Sequence, residues 1–421
     1  MPTPRDLVER SLSRAEFTLL LSMTMAVVAL SIDMILPALG DIRTSFGLAS
    51  DSNEVAAIIT FVFLGLGIGQ IFWGPLSDSL GRKRVLAIGL VIYIVAAIGS
   101  AYAPSLQWLF VARLIGGFGG AGPLVVARSI VRDVYEGADM ARAMSFIMAV
   151  FLLVPVVAPT LGTLVLLVGE WQWVFLFMAA FGIGVLAWSV RLPETLPTEA
   201  RIPLRFGRML IAFRFVVTNQ MAMGYTLALT AVFGFFASYL ASSQLILDDI
   251  FGLEAWFPVF FGATAVMMAI VMLSNTRIVR RYELRPLLRL AFTGYLLASL
   301  AMATAMLITD GHPPFALFVV TLLPMIMFQA FLVPNLNAIA MIPMGAVAGS
   351  AAAVIGTIST LGGAIIGASI DRLYDGSLVP FGIAAAVIGV VAYVLMLWAD
   401  RSYKNAYELP ATPRTPLITG I

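Results

Sequence analysis

Twelve separate runs of about 20 apolar residues, the length that a ~30 Å hydrocarbon core demands of a helix, constrain this chain more than any other feature. They lie near 17–39, 55–77, 84–102, 108–128, 143–168, 171–191, 215–242, 255–276, 286–308, 313–335, 346–370 and 378–399. Backbone amides in lipid have no water to bond, and a helix satisfies them within one segment. The composition agrees, since 61% of the 421 residues are hydrophobic and only 11% are charged, far from the balance of a water-soluble domain. The fold class read from the sequence is therefore an all-α membrane protein with twelve transmembrane helices. The first run is too long for a secretory signal and lacks its small-residue cleavage site, so it reads as a retained helix. With no cysteine in the chain, disulfides and thiolate metal sites drop out.

The position of the charges gives orientation. If both termini are cytoplasmic, the inside segments hold every one of the 25 Lys and Arg residues except Arg43, Arg113 and Arg372. By the positive-inside rule the expected location is the cell inner membrane, multi-pass, with both termini in the cytoplasm. One inside turn, around "PMGAVAG" between runs ten and eleven, carries no basic residue.

The longest polar connection, "RLPETLPTEARIPLRFGR" at 191–208, follows the sixth run. It divides the chain into a six-helix half (1–192), a linker (193–214), a second six-helix half (215–400) and a polar, Pro-containing tail (401–421) expected to be disordered. Two pseudo-symmetric halves are a common plan of secondary transporters, whose substrate site lies near the midplane between them. A worn internal echo supports the duplication: "GPLSDSLGRKR" follows run two and "LSNTRIVRRYELR" follows run eight. The pairs Gly65/Gly69, Gly116/Gly120 and Gly363/Gly367 suit close helix packing, with sliding contacts as the alternative.

Ionisable residues inside the runs are few. The sequence reading finds Asp33 in run one and Arg113 in run four, with Arg128 at the inner end of run four and Arg289 at the edge of run nine. An intramembrane charge costs about 2.5–3.5 kcal/mol on the insertion scale, so its presence calls for a function or a partner. Helical rise places Asp33 about 9 Å and Arg113 about 8 Å from the outer ends of their runs. Two opposite charges at one depth are expected to face each other or a shared cavity. A purely structural ion pair is the plain reading, but such pairs seldom stabilise more than apolar packing does. The functional reading makes Asp33, with Arg113, a proton-coupling site. One elementary charge crossing 100 mV supplies about 2.3 kcal/mol, roughly a 50-fold concentration ratio. His312, in the turn "TDGHPP", reads as a solvated loop residue.

The segment "GPLSDSLGRKR" (Gly74 to Arg84) resembles the loop signature of the major facilitator superfamily. "RLIGGFGGAG" from Arg113 is similar to the Arg-x-x-x-Gly pattern of its drug–proton antiporters, with Gly116 where glutamine is usual. "VVAPTLGT" is similar in degraded form to their span-five signature, and "IDMILPAL", "RLPETL" and "VPNLNAIAM" resemble the bicyclomycin/chloramphenicol-resistance branch. The resemblance implies the major facilitator fold and a gate formed by Gly74, Asp78, Gly81, Arg82 and Asp133. In that gate the two glycines allow a tight turn, Asp78 meets the positive N-terminal end of span eleven, and Arg82 reaches Asp133. Pro155 and Pro159 each remove a backbone donor and, with Gly162, are expected to bend span five.

Candidate substrate contacts are Phe236 and Tyr239 of run seven and Gln329, Asn335 and Asn337 at run ten, an apolar and aromatic set with a few neutral polar groups that suits lipophilic compounds. The functional reading is a proton-coupled antiporter exporting drugs or small lipophilic metabolites. The alternative is a facilitator or proton symporter importing a nutrient. An enzyme finds no support, because there is no P-loop pattern, metal-ligand cluster or nucleophile beside a histidine. Expected partners are the lipid bilayer, a small-molecule substrate and protons, with no nucleic acid, no metal and no cofactor besides the proton gradient, in a monomer.

Overall fold

In the computed structural model, which describes residues 3–49, 52–203 and 206–407, every regular element among the described residues is a helix. A short surface helix, α1 (Pro4–Ser11), precedes α2 (Arg14–Asp33), a 3-10 turn at Leu36–Ala38, and α3 (Leu39–Ser45). The remaining helices of the first half are α4 (Ala57–Leu80), α5 (Arg82–Ala101), α6 (Leu106–Val134), α7 (Gly137–Leu166) and α8 (Gln172–Ser189). After the connection come α9 (Phe206–Thr218), α10 (Gln220–Leu245), α11 (Phe257–Arg281), α12 (Leu284–Ile308), α13 (Phe315–Met341), α14 (Ala348–Asp371) and α15 (Val379–Tyr407). Twelve helices are long and apolar enough to cross a membrane, and they match the twelve sequence runs in order. The protein is a multi-pass membrane protein.

Local chemistry sets several boundaries. Ser13 and Ser105 cap α2 and α6 by accepting from the backbone N–H groups of Glu16 and Trp108, and Asn219 caps α10 through Ala222; each such cap satisfies one orphan donor of a first turn. Two boundaries differ from the sequence reading. The connection read as a linker over 193–214 becomes helical at Phe206. The last helix continues to Tyr407, since no proline interrupts it before Pro410; the rest of the segment read as a tail lies outside the described residues.

Packing makes the duplication plain where the sequence echo is faint. Numbering the membrane spans one to twelve, span one packs on four, five and six, span two on four, and span three on four and six. Span seven likewise packs on ten, eleven and twelve, span eight on ten, and span nine on ten and twelve. The broadest contacts between the halves are α4 with α14 and α7 with α11, spans two with eleven and five with eight, and these are also symmetry-equivalent.

The glycine pairs serve packing within each half. A Cβ on Gly65 would overlap the carbonyl of Leu114, one on Gly117 the carbonyl of Val62, and Gly363 and Gly367 of α14 lie against Phe233 and the Ser238 backbone N. Between the halves the close approaches are made by Gly67, facing Leu361, and Gly356, facing Gln70, which no Gly-xxx-Gly spacing announces. Overpacking typically costs about 1–3 kcal/mol, and here the obstacle is backbone. Gly117→Leu is therefore expected to lower the melting temperature in detergent sharply, whereas Gly99→Leu, at a position with open space around it, leaves it unchanged.

Candidate functional site

Asp33 is the last residue of α2 and is 4% exposed. The sequence reading placed it inside a continuous helix. Pro37, lacking a donor and restricting Leu36, instead breaks the span after Asp33 into the 3-10 turn. No hydrogen bond or ion pair joins its carboxylate to a described residue. The break is packed tightly from outside: a Cβ on Gly162 of α7 would overlap the carbonyl of Met34.

Of the two arrangements expected for Asp33 and Arg113, a direct pairing is not the one seen. Arg113, 2% exposed, gives Nη1 to Ser31 Oγ at 3.1 Å and Nη2 to the Ser31 carbonyl, and its guanidinium lies 5.3 Å from the centre of the Phe175 ring. Residues two apart on a helix point to different faces, so an arginine docked on Ser31 is turned away from Asp33. Depth alone could not tell which face each charge occupies.

At the side carrying the described ends, here the terminal side, Arg82 is 4% exposed and bonds Asp133 at 2.9 Å, Asp78 at 2.5 Å and Ser77 Oγ at 2.7 Å. Gly81 links α4 directly to α5 with φ +102, a conformation that favours glycine. Glu194, which the sequence reading missed, accepts from the backbone N–H groups of Arg82 at 2.8 Å and Lys83 at 3.3 Å and so caps α5. One gate expectation, Gly74 in the turn, needs correction, whereas the contact of Asp78 with span eleven is expected of the opposite state, in which the terminal-side cavity is shut. Gly74 lies inside α4 with only Val125 near a Cβ, at 3.9 Å, so it is not required by the turn. Asp78 is held by Arg82 within the first half; it and Gly349 and Ser350 at the start of α14 line a common cavity of about 430 Å³, which Gln70 and Arg128 also border.

On the far side the halves are closed against each other. Arg43 of α3 forms a paired interaction with Asp249 at 2.8 and 2.9 Å, with side-chain exposures of 10% and 17%. Asn53 Nδ2 donates to Ser242 Oγ at 3.1 Å and to the Asp371 carbonyl at 3.3 Å. Midway through the bundle, Gln70 Nε2 donates to Thr360 Oγ1 at 3.2 Å and Thr357 Oγ1 to the Gly67 carbonyl at 3.0 Å. The halves therefore meet through the middle and far side, while a cavity separates them at the terminal side.

The sequence reading also missed two acids of the second half, because it ended runs eleven and twelve one residue too early. Asp371 closes α14, and Asp400 near the end of α15 accepts from Arg285 Nε and Arg289 Nε at 2.7 Å each and from Tyr225 at 2.9 Å. Asp400 thus ties spans seven, nine and twelve together.

Aromatic rings form a chain across the halves, from Phe63 of α4 through Phe233, Phe236 and Tyr239 to Phe261, with centroids 5.4 to 6.4 Å apart. Gln329 is buried. Asn335 is committed elsewhere, exchanging amide bonds with Asn275 at 2.8 and 3.4 Å. Asn337 is exposed. Neither joins the aromatic chain. Pro155 and Pro159 lie within the unbroken helix α7, leaving the carbonyls of Phe151 and Pro155 without their helical donors.

Two pseudo-symmetric helical halves, joined on one face of the membrane and parted on the other, define a transporter of the alternating-access class rather than an enzyme. The profile of the Major Facilitator Superfamily matches residues 21–368, and the chain belongs to that family. It is 30% identical to an uncharacterised MFS-type transporter, YdgK of Bacillus subtilis (strain 168), over 90% of this chain and 95% of the relative. It is 27% identical to a bicyclomycin resistance protein homologue of Haemophilus influenzae over 92% and 97% of the two chains. Its fold is similar to a partially occluded inward-open structure of the xylose transporter XylE from E. coli, with a TM-score of 0.73, 14% identity and coverage of 91% and 97%.

Hydrogen bonds to charged groups contribute about 1.5–3 kcal/mol, and the partly buried Arg43–Asp249 pair makes two of them across the halves. Arg43→Ala is expected to loosen the far-side closure and shift molecules toward the state in which the terminal-side cavity is shut. Because the chain has no native cysteine, Ser129→Cys, placed in that cavity, reports this directly. Its labelling by a membrane-impermeant maleimide added on the terminal side should slow in the Arg43→Ala background, and an unchanged rate contradicts the gate assignment.

Proposed function

We propose that the protein is a proton-driven exporter of drugs or small lipophilic compounds. It works as a monomer in the cell inner membrane with both termini cytoplasmic, and residues 1–192 and 215–400 act as the two moving bodies. The proton gradient supplies the energy and no cofactor takes part. The reading is supported by relatives that include resistance transporters such as multidrug resistance protein D of Escherichia coli (strain K12), 27% identical over 56% of this chain.

The observation that carries the proposal is the placing of Asp33. It is buried, has no partner among the described residues, and lies at the break in span one against which Gly162 packs. Span five, which bears Gly162, also meets span eight of the other half, where a Cβ on Gly262 would lie 3.5 Å from the Val156 carbonyl. An ionised carboxylate in the membrane interior costs kilocalories that a neutral acid does not. Gain or loss of the proton thus changes the energy of the break, and span five passes that change to the interface between the halves. Arg113, held by Ser31 beside the break, keeps this part of span one in place. The latch of Arg82 with Asp78 and Asp133 stabilises the terminal end of the first half as it moves. Phe236, Tyr239 and Gln329 supply an apolar, weakly polar surface for varied substrates.

Asp33→Asn is expected to fold, reach the membrane and exchange substrate, yet fail to concentrate it against a gradient, a loss of up to the roughly 50-fold ratio that one proton charge supplies at 100 mV. Normal uphill efflux by this variant refutes the assignment. The fold is shared with proton symporters, including a D-xylose–proton symporter at a TM-score of 0.72, so direction needs its own test. In everted vesicles holding a pH gradient, adding substrate should release luminal protons if transport is by antiport; a facilitator leaves the gradient unchanged.

A further inference from the structure

The far-side closure contains a second buried acid that the export mechanism leaves unused. Asp371 lies at the end of α14 and is 9% exposed. Its Oδ1 accepts from Ser238 Oγ at 2.5 Å and Ser242 Oγ at 3.0 Å, both on α10. Its Oδ2 is buried and has no hydrogen-bond partner. Opposite stands Asn53, contributed by the first half, which donates through Nδ2 to Ser242 Oγ and to the Asp371 carbonyl. The Asn53 Oδ1 atom is likewise buried and without a partner. Both residues line one cavity of about 20 Å³, a space the size of a single water.

The valences are one-sided. The two serine hydroxyls are spent on Asp371 Oδ1, and the Asn53 amide on Ser242 and the Asp371 backbone. Two acceptor oxygens are left over, one from each half. A buried acceptor without a donor costs roughly 1–3 kcal/mol, more if charged. A proton on Oδ2 removes the charge and turns that oxygen into a donor, and Asn53 Oδ1 is the complementary acceptor on the same cavity. We propose that Asp371 is a second proton-binding site, and that its protonated carboxyl clasps Asn53 across the two halves to close the far-side gate.

The groups around it suit this role. Among the residues lining the cavity, Tyr374 is the one other titratable side chain, and it lies in the electrostatic range of Arg43. Arg43 is occupied by Asp249, with Asp248 beside it. The faces of α10 and α15 on the cavity bring hydroxyls and apolar side chains, with no cation to hold Asp371 as an anion. A proton arriving from the far side therefore meets an acid whose capture joins the halves there, independently of Asp33.

The test measures gate closure rather than transport, so its outcome is separable from that of the export proposal. Spin labels on Thr44→Cys and Leu373→Cys, both exposed, span the gate in the full-length protein in nanodiscs. In the Asp33→Asn background, the ratio of short to long distances should rise on acidification by up to about tenfold per pH unit, the limit for one proton. Asp371→Asn keeps the shape and offers an amide donor to Asn53, so the gate should stay closed at every pH. Asp371→Ala offers neither proton nor donor and should leave it loose at every pH, with melting curves confirming that both variants are folded. A pH response that survives in Asp371→Asn, or is absent from the start as expected if a bridging water supplied the donors, overturns the proposal. So does a response to sodium at constant pH, which would make the site a metal-cation site.

Discussion

A carboxylate buried among apolar helices must be paired or neutral. Asp400 is paired outright, held by two arginines and a tyrosine. At the terminal side it is the buried Arg82 that is paired, shared by Asp133 and the half-exposed Asp78. Asp33 has no such arrangement among the described residues, and the proposed coupling rests on that difference. A group stabilised by fixed partners keeps one protonation state through a cycle, whereas a group without them can change state whenever its access to water changes.

The second dependence is mechanical. The break after Asp33, the close approach of Gly162 and the contact of span five with span eight form a continuous packed path from the acid to the seam between the halves. Its symmetry mate, span two against span eleven, carries Gly67, Gly356 and the Gln70–Thr360 bond. The span two/eleven seam is made of close approaches and neutral hydrogen bonds, and the span five/eight seam of packing contacts. Charged contacts sit at the ends: the Arg82 latch, which lies within one half, and the Arg43–Asp249 pair, which crosses between halves. A seam without ion pairs in its middle can slide without stranding a charge in low dielectric.

Much of this was legible in the residues. Span count and order follow from hydropathy because lipid forces each crossing to satisfy itself. The Arg82–Asp133 bond was legible because a family motif fixes the turn that brings the two together. The Asp33–Arg113 pairing was misread because depth along a helix is a one-dimensional quantity, whereas pairing depends on azimuth, and Ser31 intercepts the arginine two residues away. Asp371 and Asp400 were missed for a simpler reason: hydropathy loses its edge at helix ends, where buried acids can hide one residue beyond the apolar run. Glu194 and the Asn335–Asn275 pair join residues far apart in the chain, a relation that no local pattern encodes.

The account rests on Asp33 gaining and losing a proton as the protein works. Infrared difference spectroscopy on membranes, with the carboxylic acid band assigned through its absence in Asp33→Asn, observes that event directly. The band should be present in the substrate-free protein and diminish when a transported compound binds from the terminal side. A band that stays constant through binding and turnover, or an Asp33 that shows no protonated form at any stage, contradicts the account.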